Sequence, residues 1–458
     1  MLETITAVNG AVNGVVWGPL GLALLFGAGV MLSVRTGFFQ LVHFRYWMRQ
    51  TIGAIFTDRN VTAHTDDEAI SQFQSLCTAL AATIGTGNIV GVAAALVSGG
   101  PGALVWMELA ALLGLAAKFA ECMLAVKYCR VRRDGTRWGG PMAGMEARLG
   151  APGRWMGKLF AVFALLMAFT MGALAQSGAL ADTFSAAFTL PRWRVGLVTA
   201  ALALTILLGG IRRIADISTV LVPVMALLYL GGGLAVILGN LRRLPEAVTL
   251  MLRCAVVPEA ALGGALGIVT RREALRWGVA RSVFSNEAGL GSAAITAACA
   301  DTEDPVKQGL ISMTGVFFDT MVICSVTGLA ICCSGTLGAA DGNGRPLTGA
   351  ALTLRAFETV LGPLAPWLIG VALGLFAFTS VLGCAVQAET TASYLLGPEA
   401  VRPCRVLYGL AVFAGAVIPM AAVLQLADLA NALMAFPNLV CLLLLSDEIA
   451  GEGRRKDR

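Results

Sequence analysis

The sequence predicts an all-α, polytopic membrane protein of about eleven transmembrane helices, with two five-helix halves arranged as an inverted repeat behind one extra N-terminal helix. Three observations predict it. The 458 residues are 57% hydrophobic and only 13% charged, against about 25% charge in an ordinary soluble domain. Apolar stretches of roughly 20 residues, long enough to cross hydrocarbon, recur along most of the chain. Two of these stretches, the second and the seventh, are interrupted midway by residues that fit a helix badly, and their five-helix separation is the spacing of an inverted repeat.

In chain order the apolar runs fall at 14–34, 71–97, 101–127, 156–187, 195–210, 216–239, 277–298, 306–335, 363–396, 404–421 and 424–446. Two weaker segments, 260–275 and 350–361, are too short or too charged to span and read as surface helices or as caps over a cavity. The organisation that follows is an extra helix and cytoplasmic loop at 1–70, a first repeat at 71–240, an external loop with a surface helix at 241–276, a second repeat at 277–446 and a basic tail at 447–458. Nothing outside the apolar runs exceeds about 40 residues, which is too little for an unaided soluble domain. Met1 to Gly14 lacks the basic start of a cleavable signal, so the first apolar run is expected to stay.

Charge orients the chain. Loops on one side, including Arg454, Arg455, Lys456 and Arg458, carry roughly twice as many Lys and Arg as the other, so that side is expected to be cytoplasmic and the N-terminus external. The net charge of +5 is not gathered on one face, and no nucleic-acid footprint is visible. The 11 Cys sit mostly in apolar helices, Cys122, Cys324, Cys332 and Cys384 among them, and read as packing residues. With only 2 His and no Cys-x-x-Cys, a zinc or haem site is not expected.

The two interruptions carry the function. The first is Thr83-Ile84-Gly85-Thr86-Gly87-Asn88 and the second Phe284-Ser285-Asn286-Glu287-Ala288-Gly289-Leu290-Gly291. Gly and Asn cost helix propensity, and backbone groups freed in a membrane helix cannot face lipid. Each helix is therefore expected to unwind there around a site, where amide N–H groups bind a carboxylate and exposed carbonyls bind a cation. Close helix packing through Gly87 and Gly91 is the structural alternative. A nucleotide loop is excluded because no strand precedes the glycines, and there is no Walker-type Gly-Lys-Ser/Thr run to drive a pump.

Around these runs the sequence resembles the alanine or glycine:cation symporter family of bacteria and archaea, within the wider amino acid, polyamine and cation group. The resemblance is carried by Thr78–Gly91, Gly99–Ala103, Lys118–Tyr128, Gly139–Met142, Phe284–Ser292, Asp304–Leu310 and Leu375–Phe378, and it extends over about residues 15 to 445. It implies a leucine-transporter-type fold in the inner membrane of a prokaryote. It also implies import of small neutral amino acids such as alanine or glycine by sodium symport with alternating access, with no cofactor beyond the co-transported ion. Carried over by residue, Gly85, Thr86, Gly87 and Asn88 would hold the substrate carboxylate, and Phe284, Ser285 and Asn286 would face it across the cavity. Gln176 would reach the amino group, or else bond between helices. Sodium would lie among the carbonyls of Ala81, Ile84 and Phe376 and the hydroxyls of Thr379 and Ser380, although such hydroxyls also bond back to the preceding turn.

Charges inside crossings need partners. Lys118 and Glu121, three residues apart, would neutralise each other. Glu287 would bond free backbone amides, compensate Arg281 or touch the cation, and Asp319 would pair with an arginine or bind a proton. The sequence departs from the family at Glu108, Ala173, Cys384 and Gln387. Cys384 is thereby expected in an altered pocket, and Glu108 either couples transport to protons or recognises a basic or hydroxylated substrate. Proton-coupled carriage of another small amino acid, an amino-acid sensor and an intramembrane enzyme are the rival classes. The enzyme is disfavoured because no His lies in any crossing. No coiled-coil segment argues against a monomer.

Overall fold

The computed structural model describes residues 18–62, 70–131, 137–257, 270–342, 344–418 and 420–455. Its principal helices are α1 (Pro19–Arg35), α2 (Gln72–Thr83), α3 (Val90–Gly99), α4 (Gly102–Lys127), α5 (Pro141–Met167), α6 (Gln176–Phe188), α7 (Arg192–Leu207), α8 (Gly210–Gly239) and α9 (Leu244–Val256). They continue with α10 (Arg271–Asn286), α11 (Ser292–Ala297), α12 (Pro305–Val316), α13 (Ser325–Ser334), α14 (Gly349–Leu361), α15 (Ala365–Leu396), α16 (Val401–Val417), α17 (Met420–Leu444) and α18 (Ser446–Arg455). Two π-helical stretches, Ala168–Ala175 and Phe317–Cys324, join α5 to α6 and α12 to α13.

Among the described residues seven helices are long and apolar enough to cross a membrane, or eight if the bent pair Gln72–Thr83 and Thr86–Gly99 is one span. Each of the eleven expected segments contains helix among its described residues, but α1 and α7, at 17 and 16 residues, are short for a full crossing, and 277–298 is split in two. Leu227 and Leu238 on α8, Leu202 on α7 and Leu410 on α16 are exposed. Side chains of that kind on helices of that length fit a lipid solvent, because every backbone bond is closed inside the helix.

Several expectations need correction. The segment 39–62 is a series of short helices rather than a loop, anchored by the buried Trp47, whose Nε1 donates to the Gln40 carbonyl at 3.0 Å. The crossing expected from 156 is preceded by helix from Pro141, with a kink where Gly150 takes φ 62° and Pro152 follows. Of the expected surface helix at 260–275, Thr270 caps α10 and residues 271–275 open it, while 260–269 lie outside the described residues. The surface helix of this region is α9, amphipathic and earlier in the chain. A two-residue hairpin, Arg130–Val131 against Arg137–Trp138, is the described sheet.

Both broken helices start alike. Ser71 Oγ accepts from the Gln74 amide at 3.1 Å while Gln74 Oε1 accepts from the Ser71 amide at 2.8 Å, and Thr270 with Glu273 repeats the reciprocal pair before α10. The start of the first broken helix is tied to the end of the second, for the Asp301 amide donates to the Ile70 carbonyl at 2.8 Å. Helix α15 is pressed against α2: a Cβ on Gly383 would fall 2.4 Å from the Ala82 nitrogen. Glycine there lets the two backbones meet, and it brings Thr379 and Ser380 to the first break.

Candidate functional site

Helix α2 ends at Thr83 because its next donors are diverted. The Gly85 amide, which would have closed on the Ala81 carbonyl, donates instead to Asn88 Oδ1 at 2.9 Å. The chain then makes one 3-10 turn, Thr86–Asn88, before α3 resumes with a bend of 61°. Asn88 and Ile89 amides are used within that turn, on the carbonyls of Gly85 and Thr86. Among the described residues the Thr86 and Gly87 amides have no such partner, and both residues line a cavity of about 340 Å³. The expected carboxylate-binding run thus resolves into two free donors, Thr86 and Gly87, and two residues, Gly85 and Asn88, that shape the turn. Gly85 has no room for a side chain, since a Cβ would lie 2.7 Å from Ser380 Oγ and 3.3 Å from Gln176 Nε2.

The same unwinding releases carbonyls on the opposite side. Ala81 has lost its helical donor to Asn88, and Ile84 is extended at ψ 97°. Ser380 Oγ lies 3.3 Å from the Ile84 carbonyl and 3.0 Å from that of Phe376. Thr379 Oγ1 is 3.1 Å from the Phe376 carbonyl and 2.9 Å from that of Leu375. Each hydroxyl donates backward to its own helix, but with one proton and two lone pairs it keeps acceptor capacity. Four of the five residues expected around sodium, Ile84, Phe376, Thr379 and Ser380, are therefore joined by these contacts, and Ala81 contributes a carbonyl released one turn earlier.

The second break is built differently. Helix α10 stops at Asn286, Glu287 takes the left-handed φ of 53°, and Gly289 and Gly291 follow at 82° and 83°. Those values need glycine or a strongly held side chain. Asn286 Oδ1 accepts from the Ala288 amide at 2.9 Å, and Glu121 Oε2 accepts from the Gly291 amide at 3.1 Å. Lys118 Nζ donates to the Glu287 carbonyl at 3.1 Å and pairs with Glu121 at 3.4 Å. Glu287 accepts from the Ser292 hydroxyl, so it neither caps backbone amides nor pairs with Arg281, whose guanidinium lies over Trp277 and Phe284 instead.

Of the two roles open to Asp319, pairing with an arginine is not seen among the described residues: Asn88 Nδ2 donates to Oδ1 at 2.8 Å, and Ser285 Oγ and Thr320 Oγ1 donate to Oδ2 at 2.7 and 2.9 Å. Asn88 Nδ2 also lies 3.0 Å from Ser285 Oγ, so one carboxylate ties the two breaks together. The Phe317–Cys324 π-helix presents Asp319 and Thr320 to both, as π-helical insertions often do at functional sites.

Of the expected substrate contacts, Thr86, Gly87 and Phe284 line the cavity. Gln176 stands behind it, with Oε1 accepting from Thr86 Oγ1 at 3.3 Å. Ser285 faces Asp319, and Asn286 donates to Thr320 Oγ1 at 3.0 Å and Ser282 Oγ at 3.2 Å, so neither faces the cavity. Cys384 is buried against the Gly172 position and away from the lining. Glu108 Oε1 accepts from Ser325 Oγ at 2.8 Å, outside the cavity. Sequence reasoning did not place Arg281, Asp182 and Thr183 in the lining, nor Met171, Ala175 and Leu373. The last three are ordinary apolar residues of ordinary helices and carried no signal.

Two broken helices beside one cavity, the first with two backbone amides left without a partner among the described residues, match a secondary transporter of leucine-transporter type. The fold is shared with MhsT, solved in complex with L-phenylalanine, at a TM-score of 0.58 and 13% identity over 83% of this chain and 90% of that one. A family model described as the sodium:alanine symporter family matches residues 2–454, and the chain belongs to that family. It is 40% identical to the sodium/alanine symporter AgcS of Methanococcus maripaludis, over 98% of this chain and 97% of that protein. It is 44% identical to an uncharacterized transporter of Haemophilus influenzae, over 98% and 95% of the two chains. The protein is a multi-pass membrane transporter and not an enzyme, and its family couples amino-acid movement to a cation.

Proposed function

We propose that the protein imports a small neutral amino acid of the alanine or glycine class together with sodium, by alternating access around the first break. One observation carries this reading. A single unwound turn leaves the Thr86 and Gly87 amides without a backbone partner in two residues that line the cavity, and puts the Ile84 carbonyl 3.3 Å from Ser380 Oγ, giving anion donors and cation acceptors from the same backbone. A zwitterion and a monovalent cation together match that pattern without a buried charged side chain. The apolar wall at Met171, Ala175 and Leu373 suits a small uncharged side chain.

The remaining arrangement follows the same reading. Residues 71–240 and 277–446 form the two inverted halves, the N-terminus is external, and the tail is cytoplasmic in a prokaryotic inner membrane. In this reading the unit of transport is the monomer.

Uptake of radiolabelled alanine into proteoliposomes, under an inward sodium gradient and separately under a proton gradient, tests the proposal. Concentrative uptake with sodium alone is the expected result, and uptake with protons alone would replace sodium as the coupling ion. The proton reading has its own observation, the acid Glu108 held by Ser325 within a crossing helix with no basic partner among the described residues. A Glu108→Gln protein with an unchanged pH profile of uptake would end that reading.

A further inference from the structure

The cavity has a second chemical feature that the carboxylate-binding break does not use. Arg281, one turn before the second break on α10, lines it together with Thr86, Gly87 and Phe284. Its guanidinium carbon lies 5.2 Å from the centre of the Phe284 ring and 5.3 Å from that of Trp277, and its stem runs beside Gly91, where a Cβ would lie 3.9 Å from Arg281 Cδ. Its Nε is buried without a hydrogen-bond partner among the described residues. Asp428 is the acid whose charge reaches it, and Asp182 across the cavity is paired with Arg192 at 3.1 Å. A cation in a crossing, with an unused donor and a wall position on a cavity, is set up to receive an anion.

Phe284 fixes where that anion would sit relative to the break. A Cβ on Gly87 would lie 3.4 Å from Phe284 Cδ1, on the same ring that Arg281 covers. Phe284 therefore touches both partners, with the guanidinium over the ring and the Gly87 position against its Cδ1. We propose that Arg281 is an entry site for the substrate carboxylate: the amino acid docks on the guanidinium first and then passes Phe284 to the Thr86 and Gly87 amides. Planar, bidentate recognition suits arginine, and stacking on two rings holds the fork in place. This inference rests on the amino-acid reading of the cavity.

Trp277 supplies a readout separate from transport, because the ring that Arg281 stacks on reports its charge environment. Purified protein is titrated with alanine, with lactate as a carboxylate lacking the amino group, and with ethylamine as the amine lacking the carboxylate. The Trp277 fluorescence is taken as the difference from a Trp277→Phe protein. Alanine and lactate are expected to change it, ethylamine is not, and Arg281→Gln is expected to abolish the change. In proteoliposomes Arg281→Gln should raise the KM for alanine about tenfold, the loss of one charge-assisted contact, with the maximal rate kept, and Arg281→Lys should recover part of the KM. A carboxylate signal at Trp277 without alanine uptake would leave the entry site standing and defeat the transport reading. Alanine uptake with no carboxylate signal, or with an unchanged KM in Arg281→Gln, would show that Arg281 only packs on its two rings.

Discussion

The two breaks look alike in sequence and do different work. The first, Thr83–Ile89, leaves the Thr86 and Gly87 amides without a backbone partner among the described residues, while Gly85 and Asn88 hold its shape. The second, Asn286–Gly291, is closed internally: Asn286 and Glu121 occupy its amides, Lys118 occupies a carbonyl, and Glu287 bonds Ser292. A run of Gly and Asn therefore marks where a membrane helix opens, while the side chains of neighbouring helices decide whether the opened backbone is offered to a ligand. In the proposed reading the first break is a binding surface and the second a braced joint, and Asp319 connects them.

The largest effect is expected from removing the brace. Lys118→Met leaves the Glu121 carboxylate without its cation in a region where both side chains of the pair are 2% exposed or less; breaking a buried pair costs about 3–5 kcal/mol, so thermal melting in detergent should show a strongly destabilised protein. Asn88→Ala removes the Gly85 acceptor and the Asp319 donor together, and the loss of roughly 2–3 kcal/mol should fall on function, with alanine uptake down about a hundredfold. Its folded fraction, read by gel filtration, should change less than that of Lys118→Met. Were the two breaks equivalent, these two variants would fail in the same way.

Smaller effects sharpen the comparison. Ser380→Ala removes a hydroxyl that faces only the first break; the sodium concentration for half-maximal uptake should rise about tenfold, with the alanine KM at saturating sodium little changed. Farther away, α18 is strapped to α4 by Lys127, whose Nζ lies 2.8 Å from Glu448 and 2.7 Å from Glu452, while Tyr128 also donates to Glu448. Burial pushes the Glu448 carboxyl up, but the bonds from Lys127 and Tyr128 and the charge of Arg148 outweigh it and hold it below the ordinary carboxylate range. A lowered folded-state value means that the strap's contribution is complete above that range and is lost as the pH falls through it. Protease cleavage near 446–455 should therefore increase below about pH 4 in the parent protein, whereas Glu448→Gln should show raised cleavage already at neutral pH, with uptake nearly unchanged.

The breaks were legible because Gly85, Gly87, Asn88, Gly289 and Gly291 are costly in a membrane helix whatever surrounds them. The gathering of Thr379 and Ser380 at the first break was legible only through the family resemblance. Orientation was not legible: Ser285 and Asn286 adjoin Phe284, yet each residue along a helix turns about 100°, and only Phe284 lines the cavity. Cys384 stood out as a departure from the family and lies instead where Gly172 admits a close approach. Arg281 and Asp182 are single charges whose position on the cavity wall depends on which faces α10 and α6 turn inward, and that is settled by packing between distant segments. The kink at Gly150 and Pro152 did have a local signal, a glycine two residues before a proline inside an apolar pattern.

Hydrogen–deuterium exchange of the backbone, with and without alanine plus sodium, tests the division of labour between the breaks most directly. Peptides covering 84–89 are predicted to gain protection when both solutes are present, while those covering 285–291 stay protected and unchanged. Protection gained in 285–291 with none in 84–89 would contradict the account.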